Sequence, residues 1–189
     1  MDIFANILAA FGLSGSAGLN AYLPLLVVAV AARFTPLIKL NAPWDVMTNG
    51  WVIFVLVILL IVEFFADKVP AVNHVNDAIQ TFVRPTAGAI LFAASTSVIG
   101  EIHPAVAFIL GLLVAGGVHV AKSAVVRPAI TATTGGVGNP VVSVIEDVLA
   151  AIVSLIAVVL PMVLAALFVL CAALMLWWLW RRSARAKAR

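Results

Sequence analysis

Charge is scarce in this chain. Only 10% of its 189 residues are Asp, Glu, Lys or Arg, against 65% hydrophobic ones, and mean hydropathy is +1.21. Soluble domains carry about 25% charged residues, so the composition excludes a soluble single domain. Cysteine is scarcer still. The lone Cys171 sits in an apolar run, which excludes a disulfide framework and a Cys-based metal centre and leaves it as a small apolar packing residue. Enzyme signatures are also missing. There is no phosphate-binding loop of the Walker type, and Ser14 and Ser16 have no base at a defined spacing. Lys122 followed by Arg127-Pro128 resembles the opening of a lipid phosphatase motif, but the spacing is short and no Pro-Ser-Gly-His follows. The N-terminus has no basic region and carries Asp2, so it reads poorly as a signal peptide. Five of the eleven basic residues lie in the last nine positions, which suits a juxtamembrane anchor better than a nucleic-acid surface. These absences point away from an enzyme, a cofactor and a nucleic-acid partner.

What the chain does have is apolar sequence in membrane-sized lengths. At about 20 residues per span, it predicts an all-α polytopic membrane bundle of five or six segments, some kinked or half-length. A single membrane domain covers 1–189, with the bundle over 1–180 and a basic cytoplasmic tail over 181–189. Residues 2–12 are too short to span and read as interfacial or half-inserted. Gly12 to Asn20, rich in Gly and Ser, makes a poor helix interior. A break is expected near Asn20–Pro24, opening the run Ala21–Phe34. Thr35–Gly50 reads as a loop, with Trp44 and Trp51 suited to a membrane–water interface. Trp51–Ala66 is the clearest span and ends in Glu63 and Asp67, four apart on one helix face. Asp67–Pro85 reads as a polar loop with a short helix over 78–83, where Asp77 and Gln80 have capping-box spacing. A short span over Thr86–Ile99, a tight turn at Gly100–Pro104 and a span over Ala105–Val126 follow. Gly111, Gly116 and Gly117 permit close helix packing, which is compatible with a homo-oligomer. Val141–Leu160 and Met162–Trp180 are too long together for one span, so a tight turn is expected at Leu160–Pro161.

The polar stretch Arg127–Asp147 lies between two apolar runs, and the rest of the chain is expected to organise around it. Asn139-Pro140 suits a helix start, and Ser143 and Glu146 have capping-box spacing. The plainer reading is that Glu146 and Asp147 favour a helix dipole. Two acids exceed that need, and intramembrane acids mark function by default. Arg84 and Arg127 both precede proline; each suits either phosphate or a salt bridge to Asp67, Asp77 or Glu146. His74, Asp77 and His119 would make a metal site only by convergence in the fold. A weak internal echo pairs Phe82–Gly88 with Val125–Pro128 and the small residues that follow, and Ser16–Asn20 with Thr134–Asn139.

The Lys/Arg bias places the C-terminus in the cytoplasm of a cell (inner) membrane protein, with nine basic residues inside and Arg33 and Lys39 outside. Three motif stretches then converge on the cytoplasmic face. The leading functional expectation is a small transporter or channel-like protein, with a polar site for an ion or small solute. Gly/Ser/Thr-rich helix breaks at 12–20 and 131–139 would expose backbone groups there. Glu146 and Asp147 lead the candidate residues, then Asn139 and Asn20, with Glu63, Asp67, Asp77, Arg84, Arg127 and Lys122 around them. The alternatives are a lipid-phosphate-binding protein or enzyme using Arg84, Arg127 and Lys122, and a membrane scaffold. Membrane lipids are partners on every reading.

Gly12-Leu13-Ser14-Gly15-Ser16-Ala17-Gly18-Leu19-Asn20-Ala21-Tyr22-Leu23-Pro24-Leu25, Ala66-Asp67-Lys68-Val69-Pro70, Arg84-Pro85 and Thr134-Gly135-Gly136 with Asn139-Pro140 and Glu146-Asp147 carry a family resemblance. Together they resemble a bacterial family of small polytopic membrane proteins catalogued as domain of unknown function 4126. The resemblance spans nearly the whole chain. It implies a membrane location and no activity.

Overall fold

The computed structural model describes residues 3–67, 70–96 and 102–187, and among them regular structure is helical, with no strand. Eight α-helices follow in order: α1 Ile3–Leu19, α2 Tyr22–Phe34, α3 Gly50–Ala66, α4 Pro70–Thr96, α5 Pro104–Ala121, α6 Arg127–Thr134, α7 Asn139–Val159 and α8 Pro161–Lys187. A 3₁₀ turn, Trp44–Thr48, precedes α3, and a π turn, Lys122–Val126, joins α5 to α6. Three stretches are long and apolar enough to cross a membrane: Pro104–Thr134, Asn139–Val159 and Pro161–Arg182. Ile3–Leu19, Tyr22–Phe34 and Gly50–Ala66 are shorter apolar helices.

More than half of α1 is buried, although its sequence argued against a helix there. The Gly12–Leu19 stretch is not a break; α1 runs through it and packs against α4, α5, α7 and the start of α8. Its small residues lose helix propensity but let neighbours approach closely. A Cβ on Gly18 would stand 2.5 Å from the Ala115 carbonyl oxygen, and one on Gly12 would meet Leu164. The serines are satisfied across the seams. Ser14 Oγ donates to Gly88 O at 2.7 Å, and Ser16 Oγ lies 2.8 Å from Ala150 O and 2.7 Å from Ser154 Oγ. The chain breaks at Asn20, as expected, and Asn20 Oδ1 accepts the Leu23 N–H at 2.9 Å to start α2.

The polar stretch after Asp67 is not a loop either. From Pro70 it is part of α4, which continues through Pro85 to Thr96, so Asp77 with Gln80 is no capping box. Pro85 removes one backbone donor, but buried residues lie on both sides of it. Asn76, Gln80, Arg84, Ala87 and Leu91 form one inward stripe at the three-to-four-residue spacing of a helix face. α4 and α5 cross at Gly88 and Gly111, where a Cβ on either would strike the carbonyl oxygen of the other. A Cβ on Gly117, by contrast, would meet nothing within 4 Å.

Asn49 Oδ1 caps α3 by accepting the Trp51 N–H at 2.8 Å. α7 and α8 are separated by the single non-helical residue Leu160, with φ −138° and ψ 61°. Beyond Leu164 the described side chains of α8 are exposed. Arg181 and Arg182 stack over Trp177 and Trp178 at 4.1 and 4.2 Å, an arrangement that suits an interfacial anchor. The basic tail does not begin a separate segment, because α8 runs on to Lys187. The expected turn at Gly100–Pro104 falls partly outside the described residues.

Candidate functional site

Asp67 closes the C-terminal end of α3, and the bundle is built so that donors from four directions reach it. Its Oδ1 accepts from Asn76 Nδ2 at 2.6 Å. Its Oδ2 faces Arg127 Nη2 at 3.0 Å, Ser143 Oγ at 3.3 Å, Arg84 Nη2 at 3.4 Å and Lys122 Nζ at 3.5 Å. Those residues lie on α4, the π turn, α6 and α7.

The cations bind further carboxylates. Arg84, 0% exposed, donates to Glu63 Oε1 from Nη2 at 3.0 Å and from Nε at 3.3 Å. Lys122 Nζ lies 2.8 Å from Glu146 Oε2 and donates to Leu19 O at 3.1 Å, a carbonyl at the negative end of α1. Arg127 Nη1 donates to Asp77 Oδ2 at 2.6 Å and Oδ1 at 2.7 Å. Among the described residues, the linked ion pairs thus join four carboxylates, Glu63, Asp67, Asp77 and Glu146, to three cations, Arg84, Lys122 and Arg127.

Two Arg-Pro steps deliver the guanidiniums. Pro85 follows Arg84 inside α4, and Pro128 follows Arg127 at the start of α6. In an α-helix the Pro128 ring would clash with the carbonyl four residues back. The widened turn relieves this: the Arg127 N–H bonds the Lys122 carbonyl, five residues away. In a continuous α-helix at about 3.6 residues per turn, Lys122 and Arg127 would point about 140° apart. The wide turn instead lets both reach one carboxylate oxygen. Such π turns recur at functional positions.

His119 sits behind Arg84. Arg84 Nη1 lies 3.3 Å from His119 Nδ1, and Thr81 Oγ1 lies 3.2 Å from Nε2. Arginine can only donate, so Nδ1 accepts and Nε2 carries the ring proton. Both nitrogens are thus engaged within the protein. Among the described residues no group of three or more His, Cys, Asp or Glu side chains is placed to hold a metal ion, and the His74 side chain falls outside them. Burial alone would raise the Asp67 carboxyl, but the charges of Lys122, Arg84 and Arg127 outweigh it and hold the group below the usual aspartate range.

Seven expected residues therefore meet in one network: Glu63, Asp67, Asp77, Arg84, Lys122, Arg127 and Glu146. Asn20 and Asp147 form an adjoining pair, Asn20 Nδ2 donating to Asp147 Oδ1 at 2.9 Å. Asn139 stands apart. Its side chain donates to Thr131 Oγ1 at 2.9 Å in the α6–α7 turn, and α7 has no side-chain cap. Ser143 is inside α7 rather than at its start and donates to Asp67, so the expected capping box with Glu146 is absent. Of the two Gly/Ser/Thr-rich stretches expected to break a helix, 12–20 stays helical up to its last residue and 131–139 breaks at Gly135–Gly138, with Gly135 at φ 63° and Gly136 at φ 90°. Asn76, Ser143 and His119 join the site without having been picked out as its members. Asn76 was legible from the four-residue spacing Asn76, Gln80, Arg84, had Asp67–Pro85 been read as helix.

The model of one protein family, a domain of unknown function (DUF4126), matches residues 7–182. The chain belongs to that family. No curated protein and no solved structure matches it. DUF4126 carries no assigned activity in its description, so the function of this member has to be argued from the buried network.

Proposed function

We propose that this DUF4126 protein is a small membrane transporter or channel-like protein whose ion-handling site is the network around Asp67. One observation carries the reading: carboxylates and cations from four helices and a π turn are gathered in the interior of a chain with little charge to spend. Buried ion pairs are poor stabilisers, since desolvation offsets their attraction. Ionisable side chains inside a membrane bundle mark ion pathways and relays. Asp67 is shared by three cations, so a small movement of any helix re-partitions them without leaving a charge unpaired. That property suits a site that alternates between states. All three cations already face carboxylates, which favours this reading over a phosphate site at Arg84, Arg127 and Lys122.

Purified full-length protein in proteoliposomes tests this. Under an imposed membrane potential, flux of H⁺, Na⁺ or K⁺ should exceed that of protein-free vesicles, and Glu146→Gln should reduce it at least tenfold. Wild-type flux equal to the protein-free background across that panel and a panel of small solutes would sink the proposal and favour a scaffold.

In the proposed orientation the network opens to the cytoplasm and α8 ends there, following the nine-to-two distribution of basic residues. Single cysteines introduced at 45 and 185 of a Cys171→Ala background provide the check. An impermeant thiol reagent added to intact cells should label position 45 and leave 185 unlabelled; the reverse pattern contradicts the orientation.

A further inference from the structure

Glu63 is bonded through only one of its two oxygens. Oε1 takes both Arg84 contacts, while Oε2 is buried and has no hydrogen-bond partner. The residue is 2% exposed. Guanidinium and carboxylate normally pair through two parallel bonds, so a one-sided grip by Arg84 is itself unusual. Gln80, one turn before Arg84 on the same face of α4, has another buried acceptor without a donor, Oε1, as have Asn139 Oδ1 outside the network and Glu146 Oε2, which has Lys122 Nζ 2.8 Å away. Glu63 Oε2 is a carboxylate oxygen, so the chemistry it lacks is a hydrogen. A bare buried polar atom costs about 1–3 kcal/mol, and more when it is charged.

We infer that Glu63 is a proton-binding site, carrying the proton on Oε2 in the state described here. The charge count supports this independently. With Glu63 neutral, three carboxylates, Asp67, Asp77 and Glu146, face three cations, Arg84, Lys122 and Arg127, among the described residues. The groups that bear on Glu63 come from every side: Asp67 on its own helix, Arg84 from α4, Lys122 from the π turn and Tyr22 from α2. His119 of α5 reaches it only through Arg84.

The proton gives the network two arrangements. Arg84 Nη2 is shared between Glu63 Oε1 at 3.0 Å and Asp67 Oδ2 at 3.4 Å. When the Oε2–H bond breaks and the proton passes to a water molecule, Glu63 becomes a carboxylate and draws Arg84 into a two-oxygen grip. Asp67 then keeps Lys122 and Arg127 alone. When the proton returns, Arg84 relaxes toward Asp67. This deepens the ion-handling proposal by naming the ion and its carrier, and it rests on that proposal only for its use, because protonation is readable without any flux.

Infrared spectroscopy of the full-length protein in lipid nanodiscs is the test. At neutral pH the wild type should show a carboxylic-acid C=O band that shifts in D₂O and is lost in Glu63→Gln. Should that variant not fold, wild type labelled with ¹³C at glutamate carboxyls decides the matter: the band must move with this label. No acid band in the wild type, a band that survives Glu63→Gln, or one that moves with aspartate label instead overturns the inference. An acid band assigned to Glu63 in a protein with no flux would leave the inference standing and remove the transport proposal.

Discussion

Asp67→Leu should destabilise the protein by about 3–5 kcal/mol, the range found when one partner of a buried ion pair is removed. Three cations converge on Asp67 Oδ2, at 3.0, 3.4 and 3.5 Å. Taking the carboxylate away leaves them facing one another in a site where Arg84 and Lys122 are at most 2% exposed. At about 2–4 °C per kcal/mol for a chain of this size, the midpoint of thermal unfolding in detergent should fall by roughly 10 °C or more. Asp67→Leu combined with Arg127→Leu should recover part of the loss, which a double-mutant cycle measures as coupling. The sign of the pH dependence follows from the same contacts. The folded-state value of Asp67 is depressed, so its contribution is fully present above the ordinary aspartate value, about 3.9. It is lost as pH falls through the lower folded-state value. Stability between pH 5 and 7 should not vary on account of Asp67.

Gly111→Val should be comparably damaging by a different cause. A Cβ at 111 would stand 2.6 Å from Phe92 Cβ and 2.8 Å from Ala89 Cα, and would strike the Gly88 carbonyl oxygen. Backbone atoms cannot swing aside, so α4 and α5 must separate. Overpacking typically costs about 1–3 kcal/mol, and a backbone clash belongs at the top of that range or above it. The same separation would draw Arg84 away from His119 and loosen its grip on Glu63. Gly117→Ala is the matched control. It lies on the same helix with open space around it, and the gain in helix propensity, up to about 1 kcal/mol, should leave it neutral or slightly stabilised. Equal melting temperatures for Gly111→Val and Gly117→Ala would contradict the close crossing.

The difference between α3 and α4 shows what was legible in the sequence. Trp51–Ala66 is a continuous apolar run, and burial in a membrane bundle needs nothing more specific, so the helix and its two inward acids could be read directly. Asp67–Pro85 is rich in polar residues and carries two prolines, both turn signals in water. Here the polar face is turned inward on Asp67 and Arg127, and packing carries the helix through Pro85. The serines of α1 misled in the same way. Local propensity marks Gly12–Leu19 as weak, while tertiary contacts to Gly88, Ala150 and Ser154 make those small side chains the reason α1 fits at the centre. Seven of the ten candidate residues lie in one network because intramembrane charge is informative wherever it falls. Asp67 and Asp77 were legible as salt-bridge partners of Arg84 and Arg127; the convergence of Lys122 with Arg127 on one carboxylate was not, since it depends on the π turn at Lys122–Val126, for which Arg127-Pro128 was the one local sign.

We propose that these charges are kept for ion handling rather than for stability. The paired variant Asp67→Asn/Arg127→Gln separates the two roles, because it removes one charge of each sign and retains side chains of similar size. Reconstituted beside the wild type, with folding checked by its helical signal and its elution as a single species, it should fold and lose at least nine-tenths of the potential-driven flux. A folded paired variant with wild-type flux would contradict the claim and return the network to a structural role.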